Sequence, residues 1–111
     1  MTDLIASTPE PPYYAVIFTS RYSSKAAKGY AEAAQHMLDL AAMQPGYLGV
    51  ESARGDDRLG ITVSYWKDLE SIKAWKQVTE HMEAQKRGRE SWYEHYEVRI
   101  SKVESAYGFG D

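Results

Sequence analysis

A run of ten residues from Tyr13 to Tyr22 constrains the fold most, because its sequence, YYAVIFTSRY, is rich in aromatic and β-branched residues. Such residues favour a β-strand, in which successive side chains point to opposite faces. One face would carry Tyr14, Val16 and Phe18, and the other would carry Tyr13, Ala15 and Ile17. Because both faces are apolar, the strand has to be covered twice, by helices of its own chain on one side and by something else on the other.

The following residues predict a helix and then two paired strands. Ser23 and Ser24 are suitable helix caps, and apolar residues recur at helical spacing up to Pro45, which predicts a helix from about Ser24 to Met43. The segments YLGVESAR and LGITVSYWK then predict two strands. The short polar connection GDDR between them is typical of a hairpin.

The last third of the domain predicts a second helix and a fourth strand. Asp68 is a suitable cap, and helical spacing continues to Trp92, although Gly88 weakens it, so we expect a broken or bent helical region from Asp68 to Trp92. The segment YEVRISKV predicts the last strand. The order strand, helix, strand, strand, helix, strand, with right-handed crossovers, predicts an α+β ferredoxin-like fold (β-α-β-β-α-β) with a four-stranded antiparallel sheet.

Helices on one face of such a sheet leave the other face uncovered. Five apolar strand residues cannot all point toward the same helices: Ile17, Ile61, Val63, Val98 and Ile100. A bare apolar sheet face rarely stays in contact with water, so we expect a homodimer that pairs through the sheet face.

Length and composition limit the remaining possibilities. A chain of 111 residues predicts one domain, at 13–111, preceded by a flexible N-terminal arm at 1–12 that contains Pro9, Pro11 and Pro12. The net charge of −3 makes nucleic acid an unexpected partner, and no apolar run is long enough for a membrane span or signal core, so a cytoplasmic protein is expected. The absence of Cys excludes disulfides and thiolate sites.

Three short motifs carry a family resemblance. They are PGYLGVE from Pro45, VSYWKD from Val63 and IKAW from Ile72. Together they resemble the antibiotic biosynthesis monooxygenase family, over about Tyr13 to Val103. The resemblance implies a dimeric α+β barrel with a ligand cavity between the sheet and the helical segment after the third strand.

That resemblance also implies a set of site residues. The implied lining residues are Phe18, Tyr65, Trp75, His81, Gln85 and Trp92. His81, Gln85 and Trp92 are spaced by four and seven, which would place them on one helix face. For a cofactor-free oxygenase, His81 would be the base, because imidazole exchanges a proton near neutral pH, and Tyr65, Trp75 and Trp92 would donate hydrogen bonds to the substrate.

Other interpretations of the same residues stay open. His81 alone is equally typical of a solvent-facing helical residue, and the Trp residues of core packing. Haem-degrading relatives are expected to have an Asn late in the first strand and a His about three turns after the Trp of the second helix. Here Thr19, Ser20 and Arg21 end the first strand, and Gln85 falls at the His position. A haem-binding or haem-degrading protein is therefore the less favoured alternative, and no cofactor is expected.

No metal site is predicted either, because Glu32 and His36 fit a solvated helix face and His95 has no companion ligand in sequence. The leading hypothesis is a monooxygenase that acts on a small aromatic or polycyclic molecule without a cofactor. The alternative is a non-catalytic small-molecule-binding or stress-associated barrel protein.

Overall fold

The computed structural model describes residues 5–23, 27–85 and 93–110, without the side chains of 27–33 and 82–85. Its elements are β1 (Tyr13–Tyr22), α1 (Ala27–Ala42), β2 (Tyr47–Arg54), β3 (Leu59–Trp66), α2 (Leu69–Gln85) and β4 (Tyr93–Val103). The predicted order and the ferredoxin-like α+β fold class are confirmed. The predicted helical stretch from residue 86 to Trp92 lies outside the described residues.

The four strands form one antiparallel sheet in the order β2-β3-β1-β4. The long apolar strand β1 is central, with β3 on one side and β4 on the other. Val16 lies opposite Ser64 of β3 and Ile100 of β4, and Phe18 lies opposite Thr62 and Val98. Directly opposed residues share a face of the sheet, so this register decides which side chains meet.

The helices cover one face, here called the helix side. Its core joins Val16 of β1, Trp66 of β3, Ala41 of α1 and Ile72 of α2. Packing against this core are Tyr14, Tyr47 and Trp75. The contacts between helices and strands are mainly those of α1 with β2 and of α2 with β3, the strands adjacent to each helix in sequence.

The start of α2 is held by a cap and by a close approach to β2. Oδ1 of Asp68 accepts hydrogen bonds from the backbone N–H of Ser71 at 2.8 Å and from its hydroxyl at 2.6 Å, which is the N-cap arrangement the sequence predicted. The carbonyl of Gly46, just before β2, accepts a bond from the N–H of Lys67 at 2.9 Å. Gly46 has φ +86°, a conformation that L side chains rarely adopt.

The face away from the helices is here called the open face. It carries Ile17 of β1 together with Ile61 and Val63 of β3, whereas Val98 and Ile100 lie on the helix side. The expectation that these five residues divide between two faces is therefore confirmed. Ile61 is 42% exposed, so the open face presents apolar surface to solvent.

Part of the N-terminal arm crosses one end of the open face. The N–H of Ala6 donates to Oε2 of Glu51 at 3.1 Å, and the hydroxyls of Thr8 and Tyr13 lie 2.8 Å apart. Tyr13 and Ala15 are buried on this face. The flexibility expected for the arm stays a prediction.

Candidate functional site

Three aromatic rings form a cluster on the helix side, at the β4 half of the sheet. The ring of Phe18 lies 5.3 Å from that of Tyr93 and 5.2 Å from that of Tyr96, and the two tyrosine rings are 5.7 Å apart. The Phe18–Tyr93 and Tyr93–Tyr96 pairs are edge-to-face, an arrangement favoured by the ring quadrupoles. Register explains the cluster, since β4 pairs Val98 with Phe18 and so brings Tyr96 to the same face.

The cluster continues along β4 as an apolar surface. Val98 is 48% exposed and Ile100 is 51% exposed, although both point to the side where the helices pack. Ile100 lies opposite Val16, so this surface begins where the buried core ends. We call it the β4 trough, defined by Phe18, Tyr93, Tyr96, Val98 and Ile100. Small-molecule sites are lined predominantly by apolar and aromatic side chains, as this surface is.

Trp75 lies at the border between the core and the part of α2 that follows. Its indole is half-buried and stacks on Trp66, with ring centroids 5.9 Å apart and planes 25° apart. The predicted residues Phe18 and Trp75 therefore share the helix side of the sheet, on either flank of Val16 and Trp66.

His81 lies near the end of α2 and its side chain is exposed. It lies six positions after Trp75, and at about 100° per residue that places the two on different sides of the helix. The exposed position is the one expected of a solvent-facing helical residue. Of the other two predicted lining residues, Gln85 has no described side chain and Trp92 lies outside the described residues.

Tyr65 does not join the other candidates, because it lies on the open face. Its neighbour Trp66 points into the helix-side core, and successive residues of a strand alternate. The hydroxyl of Tyr65 donates to Oε1 of Glu51 at 2.7 Å, and its ring meets that of Tyr13 edge-on at 5.8 Å. Burial, and secondarily the bond to Glu51, raises the pKa of Tyr65 to about 12, so the phenol stays protonated.

The residues that sequence reasoning missed are the four β4 members of the trough: Tyr93, Tyr96, Val98 and Ile100. The alternation in YEVRISKV was a signal that Tyr96, Val98 and Ile100 share a face. It did not show that this face is the one of Phe18, since that depends on pairing between strands about 80 residues apart in sequence.

In the described part of the chain, no three His, Asp or Glu side chains come together in a way that would hold a metal ion. No helix in the described ranges is long and apolar enough to span a membrane.

The sequence of this chain is similar to a known protein family and to individual proteins of two organisms. The model of a family described as antibiotic biosynthesis monooxygenase matches residues 13–87. YqjZ, an uncharacterised protein of Bacillus subtilis, is 54% identical over 104 residues, which cover 94% of this chain and 90% of YqjZ. Jasmonate monooxygenase ABM of Pyricularia oryzae is 27% identical over 92 residues, which cover 81% of this chain but 43% of that protein.

Solved structures share the fold at low identity. PA3566 of Pseudomonas aeruginosa superposes on this chain with a TM-score of 0.66 at 18% identity. The superposition covers 89% of this chain and 99% of the PA3566 chain. SnoaB, a cofactor-independent oxygenase of Streptomyces nogalater, superposes with a TM-score of 0.67 at 12% identity. The superposition covers 85% of this chain and 95% of the SnoaB chain.

Proposed function

The chain belongs to the antibiotic biosynthesis monooxygenase family, and from that we propose that it binds a small aromatic or polycyclic molecule in the β4 trough and oxygenates it without a cofactor. One observation carries the proposal: Phe18, Tyr93 and Tyr96 form an aromatic wall that continues into the exposed side chains of Val98 and Ile100. A flat apolar ligand buried there would gain about 25 cal/mol for each Å² of apolar surface removed from water. The names of SnoaB and of the Pyricularia enzyme support oxygenase chemistry.

The proposed reaction converts a methylene next to a phenol ring into a carbonyl. The substrate loses a proton to give a carbanion or phenolate, which gives electrons to molecular oxygen. One oxygen atom stays on the carbon and the other leaves as water, so the substrate itself supplies the electrons. Trp75, Gln85 and Trp92 are proposed to line the helical side of the bound substrate, and His81 is proposed to take the proton.

Oxygen uptake with a panel of hydroxylated anthrones tests this proposal. We expect uptake in the wild type, a loss of more than about tenfold in kcat/KM in Phe18→Ala, and abolished uptake in His81→Ala with unchanged circular dichroism. Tyr107→Ala is the control, because Tyr107 is fully exposed in the C-terminal tail. Unchanged uptake in His81→Ala would remove His81 as the base.

A second candidate function is binding without catalysis. The observation that favours it is that the residues defining the β4 trough include no imidazole and no carboxylate, while the side chain of His81 is exposed. For this function we expect a flat aromatic dye to bind, to be released by Phe18→Ala, and to cause no oxygen uptake with any phenol of the panel.

We also propose that two copies pair through the open face. Ile61 is 42% exposed there beside Ile17 and Val63, and a second copy would remove this apolar surface from water. Light scattering after size exclusion should show a dimer that Ile61→Lys converts to a monomer. Leu69→Lys is the matched control, because Leu69 is 54% exposed on α2, and it should leave the dimer intact. A monomeric wild type would contradict the pairing.

A further inference from the structure

A cavity lies on the open face, on the side of the sheet opposite to the β4 trough. Its volume is about 190 Å³, and it lies where β1 ends beside the first half of β4 and the start of β3. Its lining includes Thr19, Arg21, Leu59, His95, Glu97 and Arg99. Most of these residues end in a charged or polar group, unlike those of the β4 trough, which indicates a different kind of ligand.

Among the residues that the structure describes, the two arginines of this cavity have no partner of opposite charge. Within the described residues, the side chains of Arg21 and Arg99 form no ion pair, whereas Nε2 of His95 lies 3.1 Å from Oε2 of Glu97. Two guanidinium groups therefore face one carboxylate, which already has a neighbour. The cavity keeps an excess of positive charge in a chain whose net charge is −3.

Strand register places the arginines on both sides of the cavity. Arg21 lies opposite His95, and Arg99 lies opposite Ile17, four residues earlier on β1. At about 3.3 Å per residue, their backbones are roughly 13 Å apart along the strands, and both side chains point to the open face. Two long side chains can span that distance and meet a small group between them, and Thr19 of β1 and Glu97 of β4 lie opposite each other midway.

We propose that this cavity binds a small oxyanion, a carboxylate or phosphate group, between Arg21 and Arg99. The guanidinium fork matches the paired oxygens of both groups and donates charge-assisted hydrogen bonds. The hydroxyl of Thr19 is a further donor at the centre. This site is independent of the oxygenase activity, because it shares no residue with the β4 trough.

Pairing of two copies through the open face would set each residue against a different residue of the partner, so the arginines keep their excess of positive charge unless a carboxylate of the partner lies over the cavity. Covering these arginines without an anion would be costly, since a buried unpaired charge is strongly unfavourable. An external anion resolves this conflict.

Nuclear magnetic resonance titration with inorganic phosphate, and separately with acetate, tests the site at constant ionic strength set by chloride. We expect saturable shifts of the backbone amides of Thr19 and Leu59. Arg21→Gln and Arg99→Gln should each weaken binding about tenfold, the loss of one charge-assisted contact. Stronger binding of phosphate than of acetate would assign the ligand to the phosphate class, and the reverse to the carboxylate class.

The matched control is the double variant Lys73→Gln with Lys76→Gln, which removes two positive charges from the exposed surface of α2 and should bind as the wild type does. Shifts that do not saturate, or that are equal in the arginine variants and the control, would overturn the proposal. It would also be overturned if the wild type binds neither anion while Arg21→Gln dissociates a dimer, since the arginines would then serve the partner.

Discussion

The indole of Trp75 stacks on the indole of Trp66, with ring centroids 5.9 Å apart and planes inclined by 25°. Trp66 is fully buried at the end of β3, and its Nε1–H donates to Oγ of Ser64 at 2.9 Å. Trp75 lies in the second turn of α2 and is half-buried. The stack therefore joins the sheet to α2 and marks the border between the core and the surface proposed to bind ligand.

Trp66→Ala should lower the free energy of unfolding by about 3–5 kcal/mol, because it removes a large buried ring and leaves a cavity. Urea denaturation followed by circular dichroism measures this change. Tyr107→Ala is the control and should change the free energy by less than about 0.5 kcal/mol, since its side chain is fully exposed. If Trp66→Ala lowered the free energy of unfolding as little as the control does, the burial of Trp66 would be contradicted.

Gly46→Ala should destabilise the protein by more than the roughly 1 kcal/mol typical of a glycine held at positive φ. A Cβ at Gly46 would come within 2.6 Å of Cβ of Ser71, in addition to the strain of φ +86°. Gly108→Ala is the comparison, because a Cβ there meets nothing within 4 Å. Thermal denaturation should show a lower midpoint only for the first variant, and equal midpoints would argue against the close approach of β2 and α2.

Tyr65 should ionise only at strongly alkaline pH, because burial and the hydrogen bond to Glu51 raise its pKa to about 12 from 10.0. The folded protein then holds the phenolic proton more tightly than the unfolded chain. The stabilisation is fully present below pH 10.0 and is lost as the pH rises toward about 12.

Comparing the ultraviolet pH titration of the wild type with that of Tyr65→Phe isolates the ionisation of the Tyr65 phenol. Glu51→Gln should lower the pKa of Tyr65 only in part, since burial is the larger cause. If the denaturation midpoints of wild type and Tyr65→Phe decline identically over this pH range, the assignment is wrong.

Asp68 should stabilise α2 in a pH-dependent way. Hydrogen bonds from Ser71, first its hydroxyl and then its N–H, hold the pKa of Asp68 below 3.8. The stabilisation is present above pH 3.8 and is lost as the pH falls through the lowered pKa.

Asp68→Ala should lower the thermal midpoint near neutral pH, and Asp68→Asn should lower it less because Asn also caps helices. The difference between wild type and Asp68→Ala should shrink in strong acid, as measured by circular dichroism melts. A difference that stays constant with pH would show that the carboxylate charge plays no part in the cap.

Local signals in the sequence were sufficient for several parts of the structure. The cap at Asp68 and the hairpin between β2 and β3 depend on residues a few positions apart, so both were predictable. The sequence did not determine which residues of the candidate site share a face of the sheet. Phe18 and Trp75 lie on the helix side, whereas Tyr65 lies on the open face, because the helix-side position next to it is filled by Trp66.

The sequence by itself determined the order of the elements, the two apolar faces of β1 and the need to cover both. Those properties follow from side-chain alternation and spacing within single segments. Only the tertiary structure decided that Tyr96, Val98 and Ile100 join Phe18, and that Arg21 and Arg99 flank one cavity. The physical reason is strand register: β1 and β4 are far apart in sequence, and a shift of one residue would have moved each of these side chains to the opposite face.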